Sequence, residues 1–274
     1  MFDYERYLRL EKFPHIWCSG CGHGIVFKAL LRAIGALDLD KDKICLISGI
    51  GCSSRTPGYA DFNTLHTTHG RALTFATGIK LSRPDLHVIV ISGDGDCTAI
   101  GGNHFIHAAR RNIDITLIVE NNFIYGMTGG QVSPTAPIGS YASTAPYGVI
   151  DQPFDISGLA QAAGAAFVAR STVYHAKHLS DLIQQGLGKK GFAVIESLSP
   201  CPTSFGRKNR LRTPVEMLKW LRDNTLPIAA AAKLPPEKIR GKITRGVLWD
   251  VDKPEYTEQY RAVIERARGE QGMA

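Results

Sequence analysis

The sequence lacks any apolar run that could cross a membrane. No stretch approaches the roughly eighteen uninterrupted apolar residues that a spanning helix needs. The first segment, MFDYERYLRLEKFPH at residues 1–15, carries too many charges for a secretory signal peptide. We therefore expect a cytoplasmic protein with no membrane partner.

Cysteine is scarce, with six residues in a chain of 274. In a cytoplasmic chain of this length we do not expect a framework of disulfide bonds. The paired C-x2-C-x2-C-x3-C-P runs of a two-cluster ferredoxin are also missing. Metal binding or redox chemistry is then the better explanation for any cysteines that cluster in motifs.

The charged residues form no pattern typical of a nucleic-acid surface. The net charge is +7, but the basic residues are scattered except in FGRKNRLR at 205–212, and aromatic residues do not alternate with them. Such a charge also suits an acidic protein partner or an anionic substrate. We expect no nucleic acid as a partner.

The apolar runs that are present predict strands. They are short, nearly continuous and rich in Ile and Val, as strands covered on both faces should be. They lie at residues 44–49, 87–92, 115–120, 165–170 and 192–197. Helical patterns alternate with them, which predicts an α/β fold: an open, mainly parallel sheet with helices on both faces.

We assign one domain to residues 1–223 and a helical, partly extended C-terminal tail or arm to residues 224–274. No second α/β unit is visible. Residues 125–153 are rich in Gly, Pro, Ser and Thr and have little periodicity. A stretch of this length between regular elements predicts a functional loop.

Two of the predicted strands end in polar, glycine-rich segments. GDGD at 93–96 follows the second run, and ENN at 120–122 ends the third. Carboxylate and amide oxygens such as those of Asp94 and Asn122 suit Mg²⁺, which often bridges to a phosphorylated cofactor. Each motif alone could be a tight turn or a cap. Together, at the carboxyl ends of neighbouring strands, they predict a ligand site.

Four cysteines lie where loops leave predicted elements. Cys18 and Cys21 form a CxxC that opens a helix, while Cys52 and Cys201 each follow a strand. Four thiolates suit either an iron–sulfur cluster or structural zinc, and a CxxC can also be a thiol redox pair. The residues alone leave these alternatives open.

The pattern GDG followed by NN resembles the thiamine diphosphate (TPP) signature. The longer string GDGDCTAIGGNHFIHAARRN…ENNFIYGMTGGQ resembles more closely the β subunits of 2-oxoacid:ferredoxin oxidoreductases, over residues 14–210. The resemblance implies a TPP diphosphate-binding fold. It also implies Mg²⁺ ligands at Asp94, Asn122 and the backbone carbonyl of Ile124.

The same resemblance implies the remaining site residues. His69 would face TPP, in a catalytic role, and could otherwise cap a helix. The residues implied to line the cofactor are Ile50, Gly51, Cys52, Ser53, Gly95, Asp96, Gly126 and Met127. Cys18, Cys21, Cys52 and Cys201 sit where this family binds one 4Fe–4S cluster.

The resemblance further implies the reaction and the partners. A 2-oxoacid, coenzyme A and oxidised ferredoxin would give acyl-CoA, CO₂ and reduced ferredoxin, reversibly as CO₂ fixation. The activating glutamate would come from the pyrimidine-binding domain of an α subunit, so this chain would be active only in an assembly such as (αβ)₂.

The string resembles the 2-oxoglutarate branch more than the pyruvate branch. Arg55 is a candidate partner for a distal substrate carboxylate. The alternatives are pyruvate or another 2-oxoacid as substrate, a non-redox TPP-dependent decarboxylase subunit, and a zinc-stabilised nucleic-acid-binding module that is not an enzyme.

Overall fold

The computed structural model describes residues 2–269. Residue 1 and residues 270–274, the end of the predicted tail, lie outside the described residues. Within residues 2–269 no helix is both long and apolar enough to span a membrane.

One sheet of eight strands organises the molecule, in the order β2-β1-β3-β4-β8-β7-β10-β9. The strands are β1 (Ile44–Ser48), β2 (Asn63–His66), β3 (His87–Gly93), β4 (Thr116–Asn121), β5 (Ile124–Tyr125), β6 (Gln131–Val132), β7 (Phe167–Thr172), β8 (Ala193–Leu198), β9 (Thr225–Pro227) and β10 (Ile243–Asp250). The first six strands of this order, β2-β1-β3-β4-β8-β7, run parallel to one another. β5 and β6 form a separate antiparallel pair.

Helices cover both faces of the sheet. They are α1 (His23–Ala36), α2 (Thr56–Tyr59), α3 (Ala72–Ser82), α4 (Gly102–Arg111), α5 (Ile156–Ala163), α6 (Ala176–Gly188), α7 (Pro214–Asp223), α8 (Ile228–Ala231), α9 (Pro236–Ile239) and α10 (Tyr256–Ala267). Helices α1, α6 and α7 pack in one apolar core, and α3, α4 and α5 in the other. Successive strand residues alternate between these two cores, as the pleat of a strand requires. The predicted α/β architecture is confirmed.

The central strands are buried because they lie between these two helical layers. Every residue of β1, β4 and β8 is buried. Burial on both faces explains why their sequences are nearly continuous apolar runs instead of alternating ones.

The segment 224–274, predicted to be a helical and partly extended tail, adds two strands to the sheet. β10 pairs antiparallel with β7, and β9 pairs with β10. The sequence did not predict this pairing, because ITRGVLWD is only half-buried and lacks a continuous apolar run. The predicted boundary at residue 224 falls between α7 and β9.

The strand order places a crevice at one edge of the sheet. From β1 the chain runs outward to β2 and then returns to β3 on the other side of β1. Ligands of open α/β sheets bind beyond the carboxyl ends of the strands at such a change of direction. The ends of β1, β3 and β4 therefore frame the expected site.

Candidate functional site

A cavity of about 260 Å³ opens at this crevice. All the residues that the sequence predicts to bind TPP or Mg²⁺ lie on its wall. They are Ile50, Gly51, Cys52, Ser53, His69, Asp94, Gly95, Asp96, Asn122, Ile124, Gly126 and Met127. They come from the segments that follow β1, β2, β3 and β4, so the fold brings together distant parts of the chain.

Asp94 lies just beyond β3 and is 3% exposed. Its Oδ2 accepts hydrogen bonds of 2.5 Å from the hydroxyls of Ser133 and Thr135. Burial raises the pKa of Asp94, and these hydrogen bonds oppose that effect. A buried carboxylate that faces a cavity is suited to bind a cation.

Asn122 and Ile124 lie opposite Asp94, just after β4. The side-chain Oδ1 of Asn122 accepts a hydrogen bond from the Ile124 N–H at 3.2 Å, which fixes the turn between them. Phe123 takes the left-handed conformation at φ 65°. Carboxylate and amide oxygens in one cavity are the hard ligands that Mg²⁺ prefers.

Asp96 holds the loops around the cavity in place. Its Oδ1 accepts hydrogen bonds from the Ile50 N–H at 3.2 Å and the Gly70 N–H at 2.7 Å, and its Oδ2 accepts one from Ser92 Oγ at 2.6 Å. His69 Nδ1 lies 2.6 Å from the same Oδ1. Asp96 therefore joins the ends of β1, β2 and β3 through one buried carboxylate.

His69 is on the cavity wall and 39% of its side chain is exposed. Helix α3 begins after Arg71 and has no side-chain cap, so His69 is not a helix cap. Asp96 anchors Nδ1 and thereby fixes how the imidazole is presented to the cavity.

Two features of the wall suit a phosphorylated ligand. Gly51 has φ 125°, and a Cβ there would meet no atom within 4 Å, so its backbone borders open space. The hydroxyl of Ser53 is buried and has no hydrogen-bond partner among residues 2–269. A buried hydroxyl without a partner is costly unless a ligand or water binds it.

A second cavity, also of about 260 Å³, adjoins the first. The four predicted cluster ligands Cys18, Cys21, Cys52 and Cys201 all line it. A Cβ on Gly126 would lie 3.3 Å from Cys201 Sγ and 3.6 Å from Cys52 Sγ. Within residues 2–269 no three His, Cys, Asp or Glu side chains could hold a single metal ion.

Two of these thiols have strongly raised pKa values. Burial, together with smaller contributions from the neighbouring cysteines, raises the pKa of Cys21 to about 12 and that of Cys52 to about 11. Mutual repulsion of this kind indicates that the four sulfurs share one site. The donor set and its spacing suit a cluster bound through four thiolates.

Comparisons with known proteins identify the family. Residues 49–197 match the family described as thiamine pyrophosphate enzyme, C-terminal TPP binding domain. The 2-oxoglutarate synthase subunit KorB of Methanothermobacter marburgensis is 52% identical over 266 residues, which cover 97% of this chain and 93% of that protein. The 2-oxoacid:ferredoxin oxidoreductase subunit beta of Saccharolobus solfataricus is 47% identical over 68% of this chain and 62% of its own.

The chain belongs to the β subunits of the 2-oxoacid:ferredoxin oxidoreductases.

A solved structure agrees with this family. It is the 2-oxoglutarate:ferredoxin oxidoreductase from Magnetococcus marinus, with 2-oxoglutarate, coenzyme A and succinyl-CoA bound. Its TM-score is 0.87 at 35% identity, and the match covers 99% of this chain and 93% of that one.

The remaining predicted residue, Arg55, lies on the wall of the second cavity and not of the first. Its side chain is exposed and takes part in no ion pair within residues 2–269. The other cysteines, Cys45 and Cys97, are buried and line neither cavity.

The structure adds residues that we did not predict from the sequence. Ser133 and Thr135, in the loop that we expected to be functional, contact Asp94. His23 is buried, lines both cavities and contacts the buried Glu120 through Nδ1, and burial lowers the pKa of His23. Glu120 begins the polar ENN segment that ends a predicted strand, but His23 lies 97 residues away in the chain, so no sequence signal paired the two.

Proposed function

We propose that this chain is the β subunit of a 2-oxoglutarate:ferredoxin oxidoreductase, which holds TPP and Mg²⁺ in the first cavity and one 4Fe–4S cluster in the second. The observation that carries the proposal is the wall between the cavities. His23, Cys52, Asn122, Gly126 and Met127 line both. An electron acceptor bound by Cys52 would therefore lie directly beside the cofactor.

The residues of the first cavity have distinct roles in this proposal. Asp94, Asn122 and the Ile124 carbonyl would hold Mg²⁺, whose charge would offset that of the cofactor's diphosphate. Ser53 would donate its free hydroxyl to the ligand. His69, held by Asp96, would present its imidazole to the reacting end of the cofactor.

When bound, TPP supplies the electron sink for decarboxylation and the cluster takes up electrons one at a time. Cys52 would ligate the cluster at the wall nearest TPP, and its sulfur accepts a hydrogen bond from the Met127 N–H. Cys18 is exposed and would ligate the cluster on its outer side. Such an arrangement leads electrons from the buried cavity toward the surface.

Arg55 is the candidate for recognising the distal carboxylate of 2-oxoglutarate. Its positive charge lies near enough to Cys52 to lower the pKa of that thiol. Arg55 forms no ion pair with a carboxylate in the described chain. A guanidinium pairs with a carboxylate through two parallel hydrogen bonds, which pyruvate could not supply at its methyl end.

The first cavity needs a partner subunit to complete it. Its acidic residues are already engaged, Asp94 by two hydroxyls and Asp96 by loop donors. An α subunit would supply the activating glutamate, in an assembly such as (αβ)₂. The long loop after β6 would contact it, since Tyr147 is 97% exposed and Ile150 is 87% exposed.

The second cavity would pass electrons to ferredoxin. Arg207, Lys208 and Arg210 are exposed and follow Cys201 closely in the chain. A basic surface beside the cluster would attract an acidic electron carrier by electrostatic steering.

Anaerobic purification of this chain with its α subunit tests the proposal. We expect a brown protein with about four iron atoms per β chain, bound TPP, and CoA-dependent reduction of ferredoxin that is fastest with 2-oxoglutarate among a panel of 2-oxoacids. Zinc in place of iron would exclude electron transfer through this site. Preference for pyruvate would contradict the proposal that 2-oxoglutarate is the substrate. Full turnover by the β chain alone would contradict the proposal that an α subunit is needed.

A further inference from the structure

The loop that follows β6 crosses directly over Asp94. Ser133 and Thr135 lie in it and are 2% and 3% exposed. Both hydroxyls reach the same carboxylate oxygen, Oδ2 of Asp94, at 2.5 Å. Burial at this level is unusual for two hydroxyls unless they have specific partners.

The number of protons decides how these hydroxyls act. Each hydroxyl carries one proton, so each can donate only one hydrogen bond. Thr135 Oγ1 lies 2.5 Å from Asp94 Oδ2 but 3.0 Å from Asn121 Oδ1 and from Ser133 Oγ. A carboxylate is the stronger acceptor and here the nearer one. Both protons are thus assigned to Asp94.

The two side chains that donate to Asp94 share one of its two oxygens. Among residues 2–269 these side chains are Ser133 and Thr135, and both donate to Oδ2, while the backbone N–H groups of Asp94 and Gly95 also stabilise the carboxylate. The carboxyl group cannot rotate without breaking two short hydrogen bonds. Its Oδ1 accepts no hydrogen bond from a side chain among residues 2–269, and it is the oxygen that we assign to a cation in the cavity.

We propose that Ser133 and Thr135 are positioning residues, which lock Asp94 so that Oδ1 is presented to Mg²⁺ when TPP binds. This inference rests on the proposed function, since it assumes that Asp94 is a Mg²⁺ ligand. Partners that orient a metal ligand typically change metal affinity by about 10–100-fold when they are removed.

The competing explanation is a purely structural role. The Thr135 N–H also donates to Ser133 Oγ at 3.3 Å, and the Ala136 N–H donates to the Ser133 carbonyl at 3.0 Å. The two residues could simply close a turn. A structural role predicts lower stability but an unchanged affinity for the metal.

The test uses the purified enzyme with its partner subunit and the variant Thr135→Val, which removes the hydroxyl and keeps the shape. Mn²⁺ binding is followed by electron paramagnetic resonance at saturating TPP, and the KM for Mg²⁺ is measured in parallel. We expect a dissociation constant about 10-fold higher or more, with kcat at saturating Mg²⁺ nearly unchanged. Thr135→Ser should restore most of the affinity.

Thr172→Val is the matched control. Thr172 is also buried, at the end of β7, and its hydroxyl contacts His175 at 2.9 Å and not Asp94. We expect this variant to lose stability and keep the Mn²⁺ affinity of the wild type.

The outcomes separate this inference from the proposed function. Equal Mn²⁺ affinity in wild type and Thr135→Val would overturn the positioning role. Wild-type enzyme that binds no divalent cation with TPP would overturn the proposed function itself. If Thr135→Val does not fold, Ser133→Ala gives the second test, for which a severalfold loss of affinity is expected and an unchanged affinity contradicts the role.

Discussion

The two cavities share a wall but are built in opposite ways. The first, which we call the oxygen-lined cavity, takes its polar groups from strand ends, and its carboxylates Asp94 and Asp96 are each 3% exposed. Both carboxylates are already hydrogen-bonded. The second, the sulfur-lined cavity, takes its thiols from loops, and Cys18 is exposed.

The two cavities differ in how far folding alone orders them before a ligand or metal binds. Hydrogen bonds within the chain orient the oxygen-lined cavity before any ligand arrives. In the sulfur-lined cavity burial and repulsion by neighbouring cysteines keep the thiols of Cys21 and Cys52 protonated, as their raised pKa values indicate. Metal binding must displace those protons, and the positive charge of the metal must offset the repulsion between the thiolates. The first cavity should therefore form without the second.

The largest effect is expected from Asp94→Asn. The change removes the ligand charge and keeps the shape, so Mg²⁺ and TPP should bind on the order of 100-fold more weakly and turnover should fall at least as far. Iron content should stay at the wild-type level. TPP binding by calorimetry and iron analysis check this, with the exposed Asp85→Asn as control. Loss of iron together with TPP would contradict independent cavities.

Cys201→Ser tests whether the oxygen-lined cavity forms when the sulfur-lined cavity is disrupted. A serine hydroxyl is far less acidic than a thiol and is a poor ligand for a cluster iron, so iron content should fall roughly tenfold. Ferredoxin reduction should be lost, while the dissociation constant for Mg²⁺–TPP should change less than about threefold, because the oxygen-lined cavity is hydrogen-bonded without the cluster. Cys45→Ala, in the core at β1, is the matched control and should keep its iron.

The two cavities were also unequally predictable from the sequence. Asp94 and Asn122 could be found because each ends an apolar strand pattern, and parallel strands end at one edge. Ser133 and Thr135 could not, because their loop has no periodicity and its path over Asp94 depends on tertiary packing. The four cysteines could be grouped because each lies where a loop leaves a predicted element, but only the family resemblance favoured an iron–sulfur cluster over zinc or a thiol redox pair.

The C-terminal strands show the same limit. β10 is half-buried and contains Gly246 at φ 134°, so its pattern does not indicate a sheet strand. It joins the sheet because β7 leaves an edge that a strand can cover, which is a property of the folded sheet and not of the segment.

The pH dependence of the stability of the cluster-free chain gives a further test of this difference between the cavities. Cys21 and Cys52 have folded-state pKa values of about 12 and about 11, above their ordinary value of 9.0. Raised values contribute stability that is complete below pH 9 and is lost as the pH rises toward 11, because the unfolded chain releases these protons first.

We expect the free energy of unfolding of the cluster-free chain to fall by about 1–2 kcal/mol between pH 8.5 and pH 10.5, less than the full linkage of the two pKa shifts, because solvent screens thiols that are only partly buried. Urea denaturation at several pH values measures it. The double variant Cys21→Ala/Cys52→Ala should show a flatter profile. An equally steep profile in that variant would place the titrating groups elsewhere.

The smallest effect is expected at the surface beside the sulfur-lined cavity. Reversing the charge of Arg207, Lys208 and Arg210 should slow ferredoxin reduction about 3–10-fold at low salt and weaken its dependence on ionic strength, because steering acts on association between charged surfaces. Stopped-flow reduction at several salt concentrations measures both. The matched control reverses Arg110 and Arg111, at the end of α4 on the opposite face of the sheet. An unchanged salt dependence in the first variant, or an equal loss in the control, would show that the carrier docks elsewhere and that the exposed thiol side is not the electron exit.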